Sequence, residues 1–318
     1  MRKRKKAILY IVVPAYNEEE VLSITTEKLS LKMNNLINNK IISKDSKILY
    51  VDDGSTDKTW DIISSFHKSN KLVNGLKLSR NRGHQNALVA GLMTGKEYAD
   101  ICISMDADLQ DDINVVDKMI EEYQNGCEIV YGVRSTRKKD SAFKRITAQA
   151  FYKFMKAMGV DIIYNHADYR LMSKKALDSL GEFKEVNLFL RGIIPQIGYK
   201  SSIVYYEREK RVAGVSKYPL RKMIKFAMEG ITSFTVRPLK IIASIGFIMF
   251  IFSLGVLVYS VVRKIMGETV QGWTFIVVSI WLIGSIQLLS LGVIGEYIGK
   301  IYSEVKKRPR YIIEEELK

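Results

Sequence analysis

Two long apolar stretches near the C-terminus constrain what this chain can fold into more than any other feature. Residues 241–262 and 273–294 contain no charged side chain, and each stretch is long enough to cross the hydrocarbon core of a bilayer. Only residues 263–272 separate them. We therefore expect a hairpin of two transmembrane helices whose outer ends lie on the same side of the membrane.

Positive charge is concentrated outside this hairpin. The link contains two basic residues, whereas five stand shortly before the pair and five shortly after it. Because basic residues favour the cytoplasmic side, we expect residues 1–236 and the C-terminus to lie in the cytoplasm. The hairpin itself is expected to lie in a bacterial plasma membrane. The whole chain has 49 basic and 34 acidic residues, a formal net charge of +15, which favours anionic partners such as phospholipids or phosphorylated substrates.

The stretch before the hairpin, residues 219–236, has the pattern of an amphipathic helix. Met223 and Ile224 fall on an apolar face, and Arg221 and Lys222 fall on a basic face. We interpret it as a helix that lies in the membrane interface, with an ordinary surface helix of the preceding domain as the alternative.

Short apolar runs alternate with helical patterns through the first two hundred residues. Strands are predicted at 7–13, 48–51, 75–78, 101–105, 128–132 and 203–206, with helices between most of them. This alternation predicts an α/β fold with a Rossmann-like, mostly parallel sheet. The basic N-terminus followed by residues 7–13 imitates a signal peptide, but the apolar run is short, so we interpret it as the first core strand.

The strand at 101–105 leads into the sequence motif with the most definite chemistry. Asp106, Asp108 and Gln110 follow that strand at alternate positions, where ligands bind in open α/β sheets. Their oxygen atoms suit Mg²⁺ or Mn²⁺, with phosphate oxygens completing the coordination. The alternative is a solvated acidic turn before a helix.

Three other motifs follow predicted strands and should meet this one at the same sheet edge. They lie at 14–18, 52–55 and 132–134. A carboxylate after the second strand can accept a hydrogen bond from a nucleotide base, and a metal held by two aspartates can stabilise a departing diphosphate. The sequence therefore predicts a site for a nucleoside diphosphate with a group attached.

Taken together, seven motifs resemble those of family 2 glycosyltransferases with a GT-A fold. The resemblance is closest to the polyprenyl-phosphate glycosyltransferases, including bacterial undecaprenyl-phosphate glucosyltransferases and dolichol-phosphate mannose synthases, and it covers nearly the whole chain. The motifs are PAYNE (14–18), VDDGSTD (51–57), LSRNRGHQNAL (78–88), DADLQDD (106–112), GVRS (132–135), DYR (168–170) and REKRVAGVSKY (208–218).

The resemblance implies a role for each matching residue. Arg134 and Arg145 resemble the arginines that grip the lipid phosphate, but Gln149 stands where a small hydroxyl residue is expected. Asp168 and Arg170 resemble the pair beside the sugar, and Asp108 is expected to be catalytic together with them. Donor binding falls to Pro14, Tyr16, Glu18, Asp52 or Asp53 as the base-reading acid, Asp106, and the loop residues Arg208, Arg211 and Lys217, while Asp106, Asp108 and Gln110 form the metal set.

The resemblance also implies the domain organisation. A cytoplasmic GT-A domain spans 1–210, a basic loop with the juxtamembrane helix spans 211–237, the transmembrane helices span 238–262 and 273–295, and a cytoplasmic tail spans 296–318. A homo-oligomer, by resemblance a tetramer, is expected, with a flippase and a downstream transferase as further partners and no nucleic acid.

The expected reaction is a single displacement that inverts the sugar carbon. UDP-glucose is the favoured donor, ahead of UDP-N-acetylglucosamine and GDP-mannose, and undecaprenyl phosphate is the acceptor. Two alternatives remain. A processive polysaccharide synthase would need more membrane helices and an Arg-Trp acceptor motif, which this sequence lacks. A non-catalytic membrane-tethered module could use the positive charge to bind anionic lipid or nucleic acid.

Overall fold

The structure is a computed structural model that describes residues 6–135, 166–186, 188–207, 232, 235–267 and 272–318. These residues belong to two compact units, an α/β unit and a helical unit, which are described separately. The predicted amphipathic helix at 219–236 falls almost entirely outside the described residues.

The α/β unit is built on one eight-stranded sheet with the order β7-β5-β6-β4-β1-β2-β3-β8. Its strands are β1 (Leu9–Ala15), β2 (Lys47–Asp52), β3 (Val73–Leu78), β4 (Ile101–Ser104), β5 (Ile129–Arg134), β6 (His166–Ser173), β7 (Ser201–Tyr206) and β8 (Ile313–Leu317). Its helices are α1 (Leu22–Asn38), α2 (Thr59–Ser69), α3 (His84–Gly95), α4 (Val115–Gln124), α5 (Lys174–Gly181) and α6 (Leu190–Gln196).

The central strands form where the sequence has unbroken apolar runs. Every residue of β1 and β4 is buried, as expected for strands covered on both faces. Helix α3 packs very closely on this part of the sheet, since a Cβ atom at Gly91 would lie 2.4 Å from Val12 Cγ1 and 2.6 Å from Val51 Cγ2. That contact fixes the position of the first residue of α3 at the carboxyl edge of the sheet.

The prediction of a mostly parallel sheet is confirmed, with two strands that run the opposite way. Strands β1 to β4 pair in parallel, as do β5 and β7, whereas β6 and β8 pair antiparallel to their neighbours. Because β6 is inserted antiparallel beside β4, with Arg170 opposite Ser104, its beginning lies where β4 ends. The segment that starts β6 is thereby brought next to the acidic turn after β4.

The C-terminal strand β8 was not predicted by the sequence. It follows the helical unit along the chain, yet it belongs to the α/β unit, where it covers the edge of β3. Trp60 Nε1 donates to Glu315 Oε2 at 3.2 Å, and Lys77 Nζ lies 3.1 Å from Glu314 Oε1. The last residues of the chain therefore protect a sheet edge that would otherwise be open to pairing.

Deleting residues 311–318 is expected to destabilise the α/β unit, because β3 would become an exposed edge. The lost ladder and side-chain contacts should cost about 2–4 kcal/mol of unfolding free energy, which lowers the melting temperature by roughly 5–12 °C. Thermal unfolding of the full chain and the truncated chain measures this. Glu314→Gln is the control, since it breaks only the ion pair with Lys77 and should change the unfolding free energy by under about 1 kcal/mol. An unchanged melting temperature after truncation would contradict this role of β8.

The helical unit contains two long helices, α7 (Arg237–Ile265) and α8 (Trp273–Val305). The predicted helical pair is therefore present, but α8 continues ten residues past the predicted end of the second span at 295. Within the described residues, the segment Leu282–Val305 is long and apolar enough to cross a membrane. Large apolar side chains such as Leu288 and Leu291 are exposed along it, as expected for a surface that contacts lipid.

Candidate functional site

The turn after β4 carries the two carboxylates that the sequence singled out. Asp106 and Asp108 are both partly exposed, and Ala107 between them is buried. Helix α1 supports the turn, because the Thr25 hydroxyl donates to the Ala107 carbonyl at 2.7 Å. Leu109 has a φ of 52°, a left-handed conformation that costs a leucine about 1–3 kcal/mol. The fold thus holds this turn in a strained shape that presents both carboxylates to solvent.

The donor set of this turn fits a hard divalent cation. Burial raises the pKa of Asp106, His84 opposes the rise, and the charges of Asp168 and Asp108 add to it. A bound cation would relieve this crowding of like charges. Among the described residues, no group of three or more His, Cys, Asp or Glu side chains forms a complete metal site. The protein therefore offers two carboxylates, and Mg²⁺ or Mn²⁺ held there would take further ligands from phosphate oxygens.

Gln110, the third predicted metal ligand, is only 9% exposed. Its backbone N–H donates to Asp108 Oδ1 at 3.2 Å. Gln110 therefore contributes to the shape of the turn through its backbone N–H.

Asp168, at the start of β6, is clamped between two arginines. Arg170 Nη2 donates to Asp168 Oδ1 at 2.5 Å, and Arg191 donates to both carboxylate oxygens, through Nε at 3.3 Å and Nη2 at 3.1 Å. Burial alone would raise the pKa of Asp168, but Arg191 and Arg170 hold it well below its usual range. This carboxylate is therefore ionised at neutral pH and is a weak base.

The guanidinium of Arg170 is almost completely enclosed, with 1% of the residue exposed. Among the described residues, Arg170 Nε and Nη1 have no hydrogen-bond partner. Burial lowers the pKa of Arg170, and the Asp168 carboxylate opposes that change. The same strand is pinned to β4, because the Ser104 hydroxyl donates to the Asp168 carbonyl at 2.5 Å. Asp168 and Arg170 therefore form one rigid group beside the acidic turn.

His84 lies between the acidic turn and this clamp. It is the first residue of α3, and its Nε2 atom is 3.7 Å from Asp106 Oδ1 and 3.8 Å from Asp168 Oδ2. Its side chain is 43% exposed. The imidazole therefore lies between the two acidic groups, just beyond hydrogen-bond distance of each, at the open face of the site.

Asp52, the last residue of β2, and Asp53, the next residue, are both buried, and their carboxylates accept hydrogen bonds. Asp53 accepts from the backbone N–H groups of Arg82 at 2.7 Å and Gly83 at 2.9 Å, so it holds the loop that precedes α3. Asp52 accepts from the Ser55 N–H at 3.3 Å. Burial raises the pKa of both aspartates, whereas these hydrogen bonds oppose the rise. For Asp53, the same carboxylate oxygens that were predicted to read the base already accept hydrogen bonds from this loop.

Gly54 allows the loops after β2 and β3 to touch. It has a φ of 65°, and a Cβ atom there would lie 2.5 Å from the Arg80 carbonyl carbon and 2.6 Å from the Asn81 nitrogen. Only glycine tolerates both the conformation and the contact.

The motif after β1 reaches the same edge of the sheet. Pro14 lies within β1, and Tyr16 just beyond it is 44% exposed. Asn17 adopts a left-handed conformation with φ 54° and accepts from the Thr56 N–H at 2.9 Å, while the Glu18 N–H donates to Thr59 Oγ1 at 3.0 Å. This loop is thus tied to the loop after β2.

Arg134, at the end of β5, belongs to a buried network that the sequence did not reveal. The Tyr206 hydroxyl donates to Asp111 Oδ1, and Arg134 Nε lies 3.4 Å from the same hydroxyl and donates to it. Arg134 Nη2 is 3.8 Å from Asp111 Oδ1. Burial raises the pKa of Asp111 to about 6, and the charge of Asp106 contributes to this.

The structure thus brings together most of the predicted site residues that it describes. The acidic turn, Asp168, Arg170 and Arg134 meet at one edge of the sheet, and the loops after β1 and β2 lie along the same edge. Four further side chains at this edge, His84, Asp111, Arg191 and Tyr206, were not predicted as site residues; of these, His84 and Asp111 lie in motifs noted in the sequence, whereas Arg191 and Tyr206 do not. Arg145, Gln149, Arg208, Arg211 and Lys217 fall outside the described residues.

Comparison with protein families gives two matches on this chain. The model described as glycosyl transferase family 2 matches residues 10–181, a range that includes the acidic turn and the Asp168 clamp strand. The model described as GtrB C-terminal hairpin matches residues 237–301, which fall within α7, α8 and their link.

Individual relatives match both units. The glycosyltransferase YkoT of Bacillus subtilis is 51% identical, covering 99% of this chain and 94% of its own length. The bactoprenol glucosyl transferase of Shigella phage SfX is 38% identical, covering 95% of this chain and 97% of its own length. Among solved structures, glucosyl-3-phosphoglycerate synthase from Mycobacterium tuberculosis has 16% identity and a TM-score of 0.46, covering 71% of this chain and 78% of its own.

Proposed function

This chain belongs to glycosyl transferase family 2, and on that premise we propose that it moves one glucose from UDP-glucose to undecaprenyl phosphate. The observation that carries the proposal is the meeting of the Asp106–Asp108 turn and the doubly clamped Asp168 at one sheet edge. The names of several relatives support a bactoprenol lipid, which is undecaprenol, and a glucosyl group. The match to the hairpin model and the exposed apolar helix support association with a membrane.

On the donor side, Asp106 and Asp108 would hold Mg²⁺ or Mn²⁺, whose charge would stabilise the diphosphate as it leaves. The ends of β1 and β2 and the loops that follow them bind the nucleoside, through Pro14, Tyr16, Glu18 and Asp52. Exposed Tyr16 offers an aromatic face to the base. Asp53 acts through the Arg82–Gly83 loop, which it holds in place.

On the acceptor side, a phosphate oxygen attacks the sugar carbon directly. The second pKa of a phosphate monoester is about 6, so the nucleophile is largely ionised at neutral pH without a general base. Arg134 orients this phosphate, since a guanidinium binds phosphate oxygens through fixed, paired donors. The roles that the family resemblance implies stay predictions for five further residues: binding of the lipid phosphate for Arg145 and Gln149, and closure over the diphosphate for Arg208, Arg211 and Lys217.

Asp168 serves as a positioning group in this account, because a carboxylate paired to two arginines attracts a proton only weakly. Asp168→Asn should therefore lower kcat by about 10- to 100-fold, as expected when geometry is loosened rather than chemistry removed. Steady-state transfer rates as a function of pH measure this. The acidic limb of the profile should stay where it is in the wild type. Complete loss of transfer at every pH would contradict the positioning role and favour a base.

The order of elements along the chain supports a hairpin with both ends on one side of the membrane. Strand β8 follows α7 and α8 but lies in the same sheet as β1 to β7, which precede them. The chain must therefore cross the membrane an even number of times between β7 and β8. The charge distribution then favours the cytoplasm for both termini and the site. The domain boundaries, the tetramer, the flippase and the downstream transferase stay predictions.

A donor panel tests this function. The full chain in lipid nanodiscs would receive undecaprenyl phosphate, Mn²⁺ and radiolabelled UDP-glucose, UDP-N-acetylglucosamine or GDP-mannose in turn. Label should enter the organic phase from UDP-glucose, and EDTA should abolish the transfer. Transfer from only one of the other donors would show that the assignment of glucose is wrong. Transfer that survives EDTA would contradict the metal assignment.

A further inference from the structure

We propose that Tyr206 and Asp111 are positioning residues that couple the lipid-phosphate contact of Arg134 to the metal-binding turn. This inference rests on the proposed function, because it takes Arg134 as a contact for the acceptor phosphate. It extends that function, because it makes the donor half and the acceptor half of the site depend on each other.

The three side chains come from three separate segments that meet at the carboxyl edge of the sheet. Asp111 stands in the acidic turn, one residue after Gln110, and Arg134 and Tyr206 are the last residues of β5 and β7. Strands β5 and β7 pair in parallel with Arg134 opposite Tyr206. The strand pairing itself thus places Arg134 and Tyr206 side by side next to the acidic turn.

The Tyr206 hydroxyl is the link between the other two groups. It donates a hydrogen bond to Asp111 Oδ1 and accepts one from Arg134 Nε at 3.4 Å. Tyr206 and Asp111 are each 3% exposed, so water does not compete readily for these bonds. Movement of the guanidinium is therefore transmitted to the acidic turn through the hydrogen bonds of this oxygen atom, which are shorter than the direct 3.8 Å ion pair between Arg134 Nη2 and Asp111 Oδ1.

Arg134 differs from its two partners in facing the open site. Its side chain is 23% exposed, whereas that of Asp111 is 2% exposed. A phosphate that binds the exposed part of the guanidinium fixes Arg134, and Arg134 fixes Tyr206 and then the turn that holds Asp106 and Asp108. Because coupling between two sites is reciprocal, donor binding at the turn should equally favour the acceptor.

Tyr169 provides a matched control in the same part of the core. Its ring packs edge-on against Tyr206 with centroids 5.5 Å apart, and its hydroxyl donates to the Asp112 carbonyl at 3.0 Å. It is 1% exposed and supports the same turn. The hydrogen bond of its hydroxyl goes to Asp112 and not to Arg134, so Tyr169→Phe removes an equivalent buried hydroxyl without cutting the proposed link.

Kinetics separate a link through Arg134 from a general loosening of the core. Tyr206→Phe should raise the acceptor KM and the Mn²⁺ activation constant together, each by about tenfold, the usual effect of losing a hydrogen bond to a charged group. Tyr169→Phe should leave the acceptor KM within about twofold. In an Arg134→Gln background, Tyr206→Phe should have no further effect on the acceptor KM. An undiminished effect in that background would overturn the link.

Amide hydrogen exchange of the full chain in nanodiscs tests the coupling without turnover. Adding undecaprenyl phosphate alone should slow exchange at residues 106–112 in the wild type and in Tyr169→Phe, but not in Tyr206→Phe. Asp111→Leu should behave like Tyr206→Phe, because it removes the carboxylate that accepts from the Tyr206 hydroxyl and faces Arg134. Slowed exchange in Tyr206→Phe, or no slowing in the wild type, would overturn the inference.

The two proposals fail in different ways. If the wild type makes lipid-linked sugar but the lipid phosphate leaves exchange at the turn unchanged, the coupling is wrong and the proposed function stands. If no donor labels the lipid although undecaprenyl phosphate protects the turn through Tyr206, the coupling stands and the proposed reaction is wrong.

Discussion

Asp108→Ala is expected to abolish sugar transfer, lowering kcat by at least about 1,000-fold, the loss typical when a group that stabilises transition-state charge is removed. The variant takes away one of the two carboxylates that the turn after β4 exposes. Asp106 alone would bind a divalent cation weakly, since Mg²⁺ and Mn²⁺ in such sites depend on the diphosphate and few protein oxygens. Transfer of label to the lipid phase, measured across Mn²⁺ concentrations, gives the result.

Asp112→Asn is the matched control in the same acidic run. The Asp112 carboxylate accepts from the Asn114 N–H at 2.9 Å, at the start of α4. Asparagine keeps that acceptor, so transfer should stay within about threefold of the wild type, as for a surface substitution. Wild-type rates in Asp108→Ala would contradict the metal assignment, and an equal loss in Asp112→Asn would show that net charge in the turn matters rather than one ligand.

Arg170→Met should cause the largest loss of stability among the site residues. Removing one member of a buried ion pair costs about 3–5 kcal/mol, because the remaining charge stays buried without its partner. Arg191 still pairs with Asp168 through two hydrogen bonds, and Arg170 has two unpaired nitrogens among the described residues. We therefore expect a loss nearer 2–4 kcal/mol, and a melting temperature lower by about 5–12 °C.

Two further variants test the reason for this loss. Arg170→Met with Asp168→Asn should recover part of the stability, since no buried carboxylate then lacks its partner. Lys77→Met breaks a more exposed ion pair with Glu314 and should cost under about 1 kcal/mol. Thermal unfolding of all three variants measures these differences. A wild-type melting temperature for Arg170→Met would show that the buried pair adds nothing to stability.

The parts of the fold that the sequence predicts are those that depend on local pattern. Strands β1, β2 and β4 are short apolar runs followed by polar motifs, and in the structure they are central, buried and parallel. Acidic residues that directly follow such strands must lie at the carboxyl edge of the sheet. The acidic turn was therefore predictable from its position in the sequence alone.

The parts that were missed depend on contacts between distant segments. Nothing near residue 168 shows that β6 runs antiparallel beside β4, although this pairing is what brings Asp168 to the acidic turn. Arg191 and Tyr206 approach the site from α6 and β7, far along the chain, in segments that carry no recognised motif. Strand β8 was missed for the same reason, because its partner β3 precedes it by more than two hundred residues.

The mass of the lipid product distinguishes transfer of a single sugar to the lipid phosphate from the alternative reactions. The full chain in nanodiscs would be incubated with undecaprenyl phosphate, Mn²⁺ and UDP-glucose, and the organic extract would be analysed by mass spectrometry. We expect one new species, undecaprenyl phosphate with a single added hexose, which Asp108→Ala does not form. A ladder of products with many sugars would instead identify a processive synthase, and an unchanged lipid with a folded, membrane-inserted protein would contradict the proposed acceptor.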